Sequence, residues 1–128
     1  MNEAVYDTRF FVEFFNSNDP SLLEKIRKEK YRREKYVSVI VIHELYKLSL
    51  ANEGRETAKR KVAFLKQEFK IIPVDSQIAE SSAELRQKYK LSMGDSMIAA
   101  TAMSQNAVCF SDYPHFGQIK EIKTAWFE

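Results

Sequence analysis

Short apolar runs alternate with longer amphipathic segments along the whole of this chain, and few folds satisfy that pattern. Ala4-Val5-Tyr6, Tyr36-Val37, Ile71 to Val74, Ala107 to Phe110 and Lys123 to Phe127 read as strands. Between them lie stretches whose apolar residues recur at three and four positions. The alternation is the βαβα signature of a mostly parallel sheet covered by helices on both faces, so the chain is expected to be α/β with five strands. With 128 residues there is room for one domain, residues 1–128, and no second catalytic unit.

Local signals punctuate that pattern. Phe10, Phe11, Phe14 and Phe15 share one side of a first helix and are expected in the core. Asp19 followed by Pro20 is an N-cap and first-turn pair for a charged helix running to about Arg33. Ser38 caps a helix reaching about Asn52, and Gly54 ends it. A helix over 56–69 leads to the strand at Ile71, where Pro73 points to a sheet edge or strand end. Asp75 caps the helix from Ser76 to about Lys88, and another begins near Gly94-Asp95 and runs to Gln105.

Composition narrows the chemistry. Three glycines, Gly54, Gly94 and Gly117, cannot write a P-loop or a dinucleotide fingerprint. Cys109 is the only cysteine, which excludes an internal disulfide and a multi-thiolate zinc site and suits a reducing, cytoplasmic setting. No apolar stretch approaches the ~20 residues that span a bilayer, and no signal peptide is expected, so no membrane partner is assigned. A net charge of +2 imposes no global field, and any nucleic-acid surface has to be local.

In open α/β sheets ligands bind at the carboxyl ends of strands, so acids there come first. Asp7 follows the first strand and Asp112 the fourth. Asp95 opens a helix and shares its face with Ile98, Ala99 and Ala102. Glu44 sits within the apolar stripe of Ile40, Val41 and Leu48, where a lone carboxylate is costly to desolvate. Taken singly, each has an ordinary explanation: a cap for Asp7 and Asp95, a turn for Asp112, a snorkelling side chain for Glu44. Gathered at one sheet edge, each pair ~5 Å apart would repel by about 3 kcal/mol at an effective dielectric near 20. A divalent cation removes that penalty, and oxygen-only ligation selects Mg2+ or Mn2+, ions that engage substrate phosphates. Phosphoryl hydrolysis is the chemistry implied.

Tyr6-Asp7-Thr8, the stretch from Ser38 to Glu44-Leu45, Leu91 to Ala100 and Ser111-Asp112-Tyr113-Pro114-His115-Phe116 resemble the PIN-domain nucleases, with VapC-type toxins the best match. The most specific piece is DSMIAATA, Asp95 to Ala102. The resemblance implies a three-layer α/β/α PIN-like fold with a mostly parallel sheet of four to five strands. It implies a Mg2+- or Mn2+-dependent endoribonuclease, commonly dimeric and neutralised by a cognate antitoxin. Asp7, Glu44 and Asp95 match the family's three best-defined acids as metal ligands and catalytic groups. At the fourth, the expected acid position holds Tyr113, so Asp112 either substitutes from the neighbouring position or the acid is lost. Thr8 and Ser111 match small hydroxyl positions that orient carboxylates or water, and Ser96 stands where relatives commonly have alanine.

RNA requires cationic contacts, and the segment from Glu24 to Lys35 carries seven basic residues against three acidic. Lys28, Arg32 and Arg33 are candidates there, with Tyr31 and Tyr36 for stacking; the alternative is a solvated helix whose charges pair along its face. Arg9, two residues past Asp7, is the better single phosphate contact, and Arg55, Lys59, Arg60 and Lys61 form a second patch. His43 and His115 read as a helix-surface and a turn residue. The apolar supply of the first helix and of Leu45 to Leu50 suits either a large-residue core or a dimer or antitoxin interface. Other readings are a PIN-like RNA- or partner-binding module without catalysis, a non-toxin RNA-processing nuclease, and a phosphatase with Asp7 as nucleophile, the last disfavoured because Thr8 and Arg9 follow where a second acid is usual.

Overall fold

A computed structural model describes residues 3–32 and 34–127. Strand β1 (Glu3–Tyr6) leads through α1 (Thr8–Asn16) and α2 (Pro20–Glu29) to β2 (Glu34–Ser38). Helices α3 (Val39–Glu53) and α4 (Arg55–Glu68) connect to β3 (Lys70–Ile72). Helices α5 (Ser76–Tyr89) and α6 (Met93–Gln105) return the chain to β4 (Val108–Phe110), and the short α7 (Pro114–Gly117) precedes β5 (Thr124–Ala125). The five strands form one all-parallel sheet in the order β3-β2-β1-β4-β5. The architecture is the expected three-layer α/β/α arrangement.

Strand order positions everything that follows. From β1 the chain moves to one side through β2 and β3, then returns to pair β4 on the other side of β1. The carboxyl ends of β1 and β4 therefore flank the point where the topology reverses, and a crevice opens there in such sheets. Register aligns Tyr6 with Phe110, so the residues after each, Asp7 and Ser111, emerge side by side.

Helix starts follow the side-chain chemistry. Asp7, Asp19, Ser38, Asp75 and Ser92 all accept a hydrogen bond from a first-turn backbone N–H, satisfying donors that the helix leaves open. Gly54, at φ +91°, turns α3 into α4 in a conformation that a side chain would strain. Three boundaries differ from the sequence reading. Helix α2 stops at Glu29, and Lys30 to Arg32 form a turn closed by backbone bonds back to Arg27, Lys28 and Glu29. Helix α6 starts at Met93, ahead of Gly94, because Ser92 is its cap. The last strand is only Thr124–Ala125, pairing with the end of β4 alone. Pro73 falls just past β3, an edge strand, where its missing N–H costs no ladder bond.

The core is aromatic. Phe10 packs its ring against Tyr6, Phe11, Phe14, Phe110 and Phe127 at centroid distances of 4.5–6.1 Å. Phe14 and Phe15, expected in the core, are partly buried and pack against its margin, both in ring contact with Phe64 of α4. Phe10→Ala is expected to cost about 3–5 kcal/mol, since the helix cannot collapse into the space left beside Tyr6, and denaturant unfolding would measure it. Among the described residues no helix is long and apolar enough to cross a membrane.

Candidate functional site

Asp7 leaves β1 and caps α1, and both duties fix its carboxylate. One oxygen accepts from the Phe10 amide at 3.3 Å, and the other accepts from the Ser111 hydroxyl at 2.5 Å. The side chain is 2% exposed, and both donors are neutral. Burial is the main cause that pushes its pKa up from 3.8 to about 6; Asp112 and Asp95 push the same way, while the Ser111 and Phe10 hydrogen bonds oppose. Asp7 thus feels acids from two other segments.

Glu44 joins them from α3. Its carboxylate accepts a 2.5 Å hydrogen bond from the hydroxyl of Thr8, the residue after Asp7. On its other side lies Gly94, the residue before Asp95, so close that a Cβ there would stand 2.7 Å from Glu44 Oε2. The sequence puzzle of a carboxylate on an apolar stripe resolves here. Helix α3 turns Val41, Leu45 and Ser49 inward, and Glu44 lies part-buried between the first turns of α1 and α6. Ser96, where an alanine was usual, is fully buried and donates to the Met93 carbonyl within its own helix.

Asp95 and Asp112 stand nearer solvent. Asp95, its side chain 17% exposed, lies 3.5 Å from Nδ1 of His115. Asp112 is held by a two-pronged pair with Arg9, Nε and Nη2 each donating at 3.0 Å. Arg9, expected to be a free phosphate contact, instead neutralises the fourth acid. Tyr113 donates its backbone N–H to the Ser111 hydroxyl and turns its ring onto that of His115. Below the acids, Cys109 is buried, and its thiol pKa is pushed up first by that burial and then by Asp7 and Asp95, so it stays protonated and inert.

The donors are carboxylates and hydroxyls with no thiolate, a chemistry suited to hard divalent cations. Yet among the described residues no three His, Cys, Asp or Glu side chains are arranged to hold an ion. The acids are neighbours without closing on a point. Asp112 is instead paired with Arg9.

Helix α2 delivers the chain to Glu34, which pairs in register with Glu3 at the amino ends of the strands. The acids occupy the carboxyl ends. Arg32, 16% exposed in its side chain, is bound by Glu29 and lies over the Phe110 ring, so its guanidinium is committed to the fold. Lys28 is exposed on α2, and Arg33 lies outside the described residues. In the second patch Arg60 pairs with Glu56, and Lys61 with Glu53. The sequence reading took His115 as a turn residue and Gly94 as a helix start; the structure sets the first beside Asp95 and the second against Glu44.

A PIN-domain family model matches residues 4–121. The solved VapBC2 complex of Rickettsia felis bound to a promoter DNA fragment superposes with a TM-score of 0.82 at 18% identity, over 98% of both chains. A toxin–antitoxin complex from Klebsiella pneumoniae gives 0.73 at 23% identity, over 94% of this chain and 95% of that one. A VapC of Mycobacterium tuberculosis described as a sarcin-ricin loop cleaving toxin gives 0.75 at 16% identity, over 94% and 98%. At these identities the likeness is one of fold. No curated protein sequence matches the chain significantly.

Proposed function

This chain belongs to the PIN-domain family, and on that premise we propose that it is a metal-dependent endoribonuclease, the toxin of a toxin–antitoxin pair. The observation that carries the proposal is the placement of Asp7 and Asp112 just past the carboxyl ends of β1 and β4, with Glu44 held by Thr8 on one side and set against Gly94, the residue before Asp95, on the other. A helix cap explains part of the place of Asp7, but its burial works against the folded state, which points to a role beyond capping.

In this reading Asp7, Glu44, Asp95 and Asp112 hold Mg2+ or Mn2+. When bound, the ion supplies neutralisation of charge developing on the phosphate and activation of the attacking water. Ser111 aims the Asp7 carboxylate, and Thr8 aims that of Glu44. Arg9 lies beside the same acids, so an entering phosphate can compete with Asp112 for its guanidinium. Cys109 is buried and protonated, so it is assigned no part in the reaction.

The antitoxin and a second copy of the chain are the expected protein partners, and the cytoplasm, where RNA is met, the expected setting. Support comes from the solved complexes of the same fold, from exposed Val39, Leu48 and Leu50 on α3, and from Met93 and Met103 on α6. A second reading, a binding module without catalysis, is favoured by Tyr113 in the place of an acid and by the Arg9–Asp112 pair.

Labelled RNA incubated with the purified protein is expected to be cut in Mg2+ or Mn2+, preserved in EDTA, and cut again when Mn2+ is restored in excess. Cleavage that persists in EDTA overturns the metal requirement. Intact RNA in every metal, with RNA still bound, establishes the second reading.

A further inference from the structure

Tyr113 occupies the position where an acid was expected, and its ring lies flat on that of His115, centroids 5.1 Å apart and planes 11° from parallel. Tyr113 is 43% exposed and the His115 side chain 57%, so the pair does not bury itself. Both ends are tied to the acids: the Tyr113 amide donates to the Ser111 hydroxyl that in turn donates to Asp7, and His115 stands 3.5 Å from Asp95. Pro114 between them fixes one backbone angle, and Phe116, fully buried, anchors the turn. Two exposed rings already set parallel beside the acids need little reordering to accept a third flat ring.

We propose that Tyr113 and His115 form a stacking platform that seats one unpaired base of the RNA next to the acids, so that the ring at residue 113 sets how tightly that base is held. The inference rests on the nuclease reading for its substrate class. A base within a duplex has both faces covered by its neighbours, whereas an unpaired base can leave its strand and lie on an aromatic ring. The fourth-acid position has thus become a specificity-determining residue. Stacking needs a flat ring at residue 113 but not its hydroxyl, which separates this role from one in packing.

A short, mixed-sequence, 5′-fluorescent single-stranded RNA titrated with the full chain in EDTA tests this without cleavage, read by anisotropy. Tyr113→Ala and Tyr113→Leu are expected to weaken binding about tenfold, within the range seen for loss of one stacked base. Tyr113→Phe and Tyr113→Trp are expected to bind like the parent, and a 2-aminopurine placed in the RNA is expected to be quenched only by proteins carrying a ring at 113. Circular dichroism confirms the fold of each variant. Equal binding by the leucine and phenylalanine variants overturns the platform, as does no RNA binding by the parent, or equally tight Tyr113-dependent binding of a duplex. Ring-dependent binding by a parent that cuts no RNA in Mn2+ supports the platform while overturning the nuclease reading.

Discussion

Asp7→Asn is expected to abolish RNA cleavage while making the metal-free protein more stable. The native environment raises the Asp7 pKa from 3.8 to about 6, chiefly by burial, so folding works against the charged form. Below about pH 4 the carboxyl is protonated in folded and unfolded chains alike and costs nothing. Between there and about pH 6 the unfolded chain ionises first, and above it the full penalty, on the order of 3 kcal/mol, burdens the native state. Asparagine has the same shape, can still accept from the Phe10 amide, and can donate to the Ser111 hydroxyl. In EDTA at pH 8 its melting temperature is therefore expected to exceed the parent's by roughly 5–10 °C, with the gap closing as the pH falls toward 4. Cleavage in Mn2+ is expected to drop on the order of 10²–10³-fold or more. A variant that still cuts RNA removes Asp7 from the catalytic set, and one that melts no higher at pH 8 shows that its carboxylate is compensated in solution. Both effects together are what a residue retained for chemistry at the expense of stability should show.

Gly94→Ala is the second large effect, and it isolates Glu44. The new Cβ would stand 2.7 Å from Glu44 Oε2, closer than two such atoms can approach. The atom it meets is the end of a flexible side chain, so Glu44 is displaced while the helix is not. Gly94 does not occupy the left-handed region, and alanine is the better helix former by about 1 kcal/mol. Thermal stability is expected to hold or rise, while cleavage falls about 10- to 100-fold, the size of effect seen when a metal ligand loses its orientation. Adding Glu44→Asp, a shorter carboxylate, is expected to recover part of the rate. Unchanged cleavage in Gly94→Ala would mean that Glu44 works equally well from elsewhere, and that its place between Thr8 and Gly94 is incidental.

Much of this was legible one segment at a time. The five strands, the caps at Asp19, Ser38 and Asp75, and the edge position of β3 follow from local propensity, which acts between residues a few positions apart. The basic, helix-favouring run to Arg33 carries no stop signal, yet helix α2 ends at Glu29; local backbone bonds close the turn at Lys30 to Arg32, and the contact that sequence could not supply is that of Arg32 with the Phe110 ring. Phe14 and Phe15 fit the helical stripe as well as Phe10 and Phe11 do, and only the tertiary structure separates them, with Phe10 and Phe11 buried and Phe14 and Phe15 at the margin against Phe64.

By itself the order of residues determined the layered architecture, because strand and helix periodicities are local, and it marked four carboxylates in suggestive places, because an acid at a strand end or on an apolar stripe is conspicuous in one dimension. Only the tertiary structure decided what those acids touch. The Arg9–Asp112 pair spans 103 positions and the Thr8–Glu44 bond 36, while Gly94 against Glu44 and His115 against Asp95 join segments that sequence spacing cannot relate. Coulomb and hydrogen-bonding energies depend on distance through space, and that distance is set by how the sheet is ordered rather than by position along the chain.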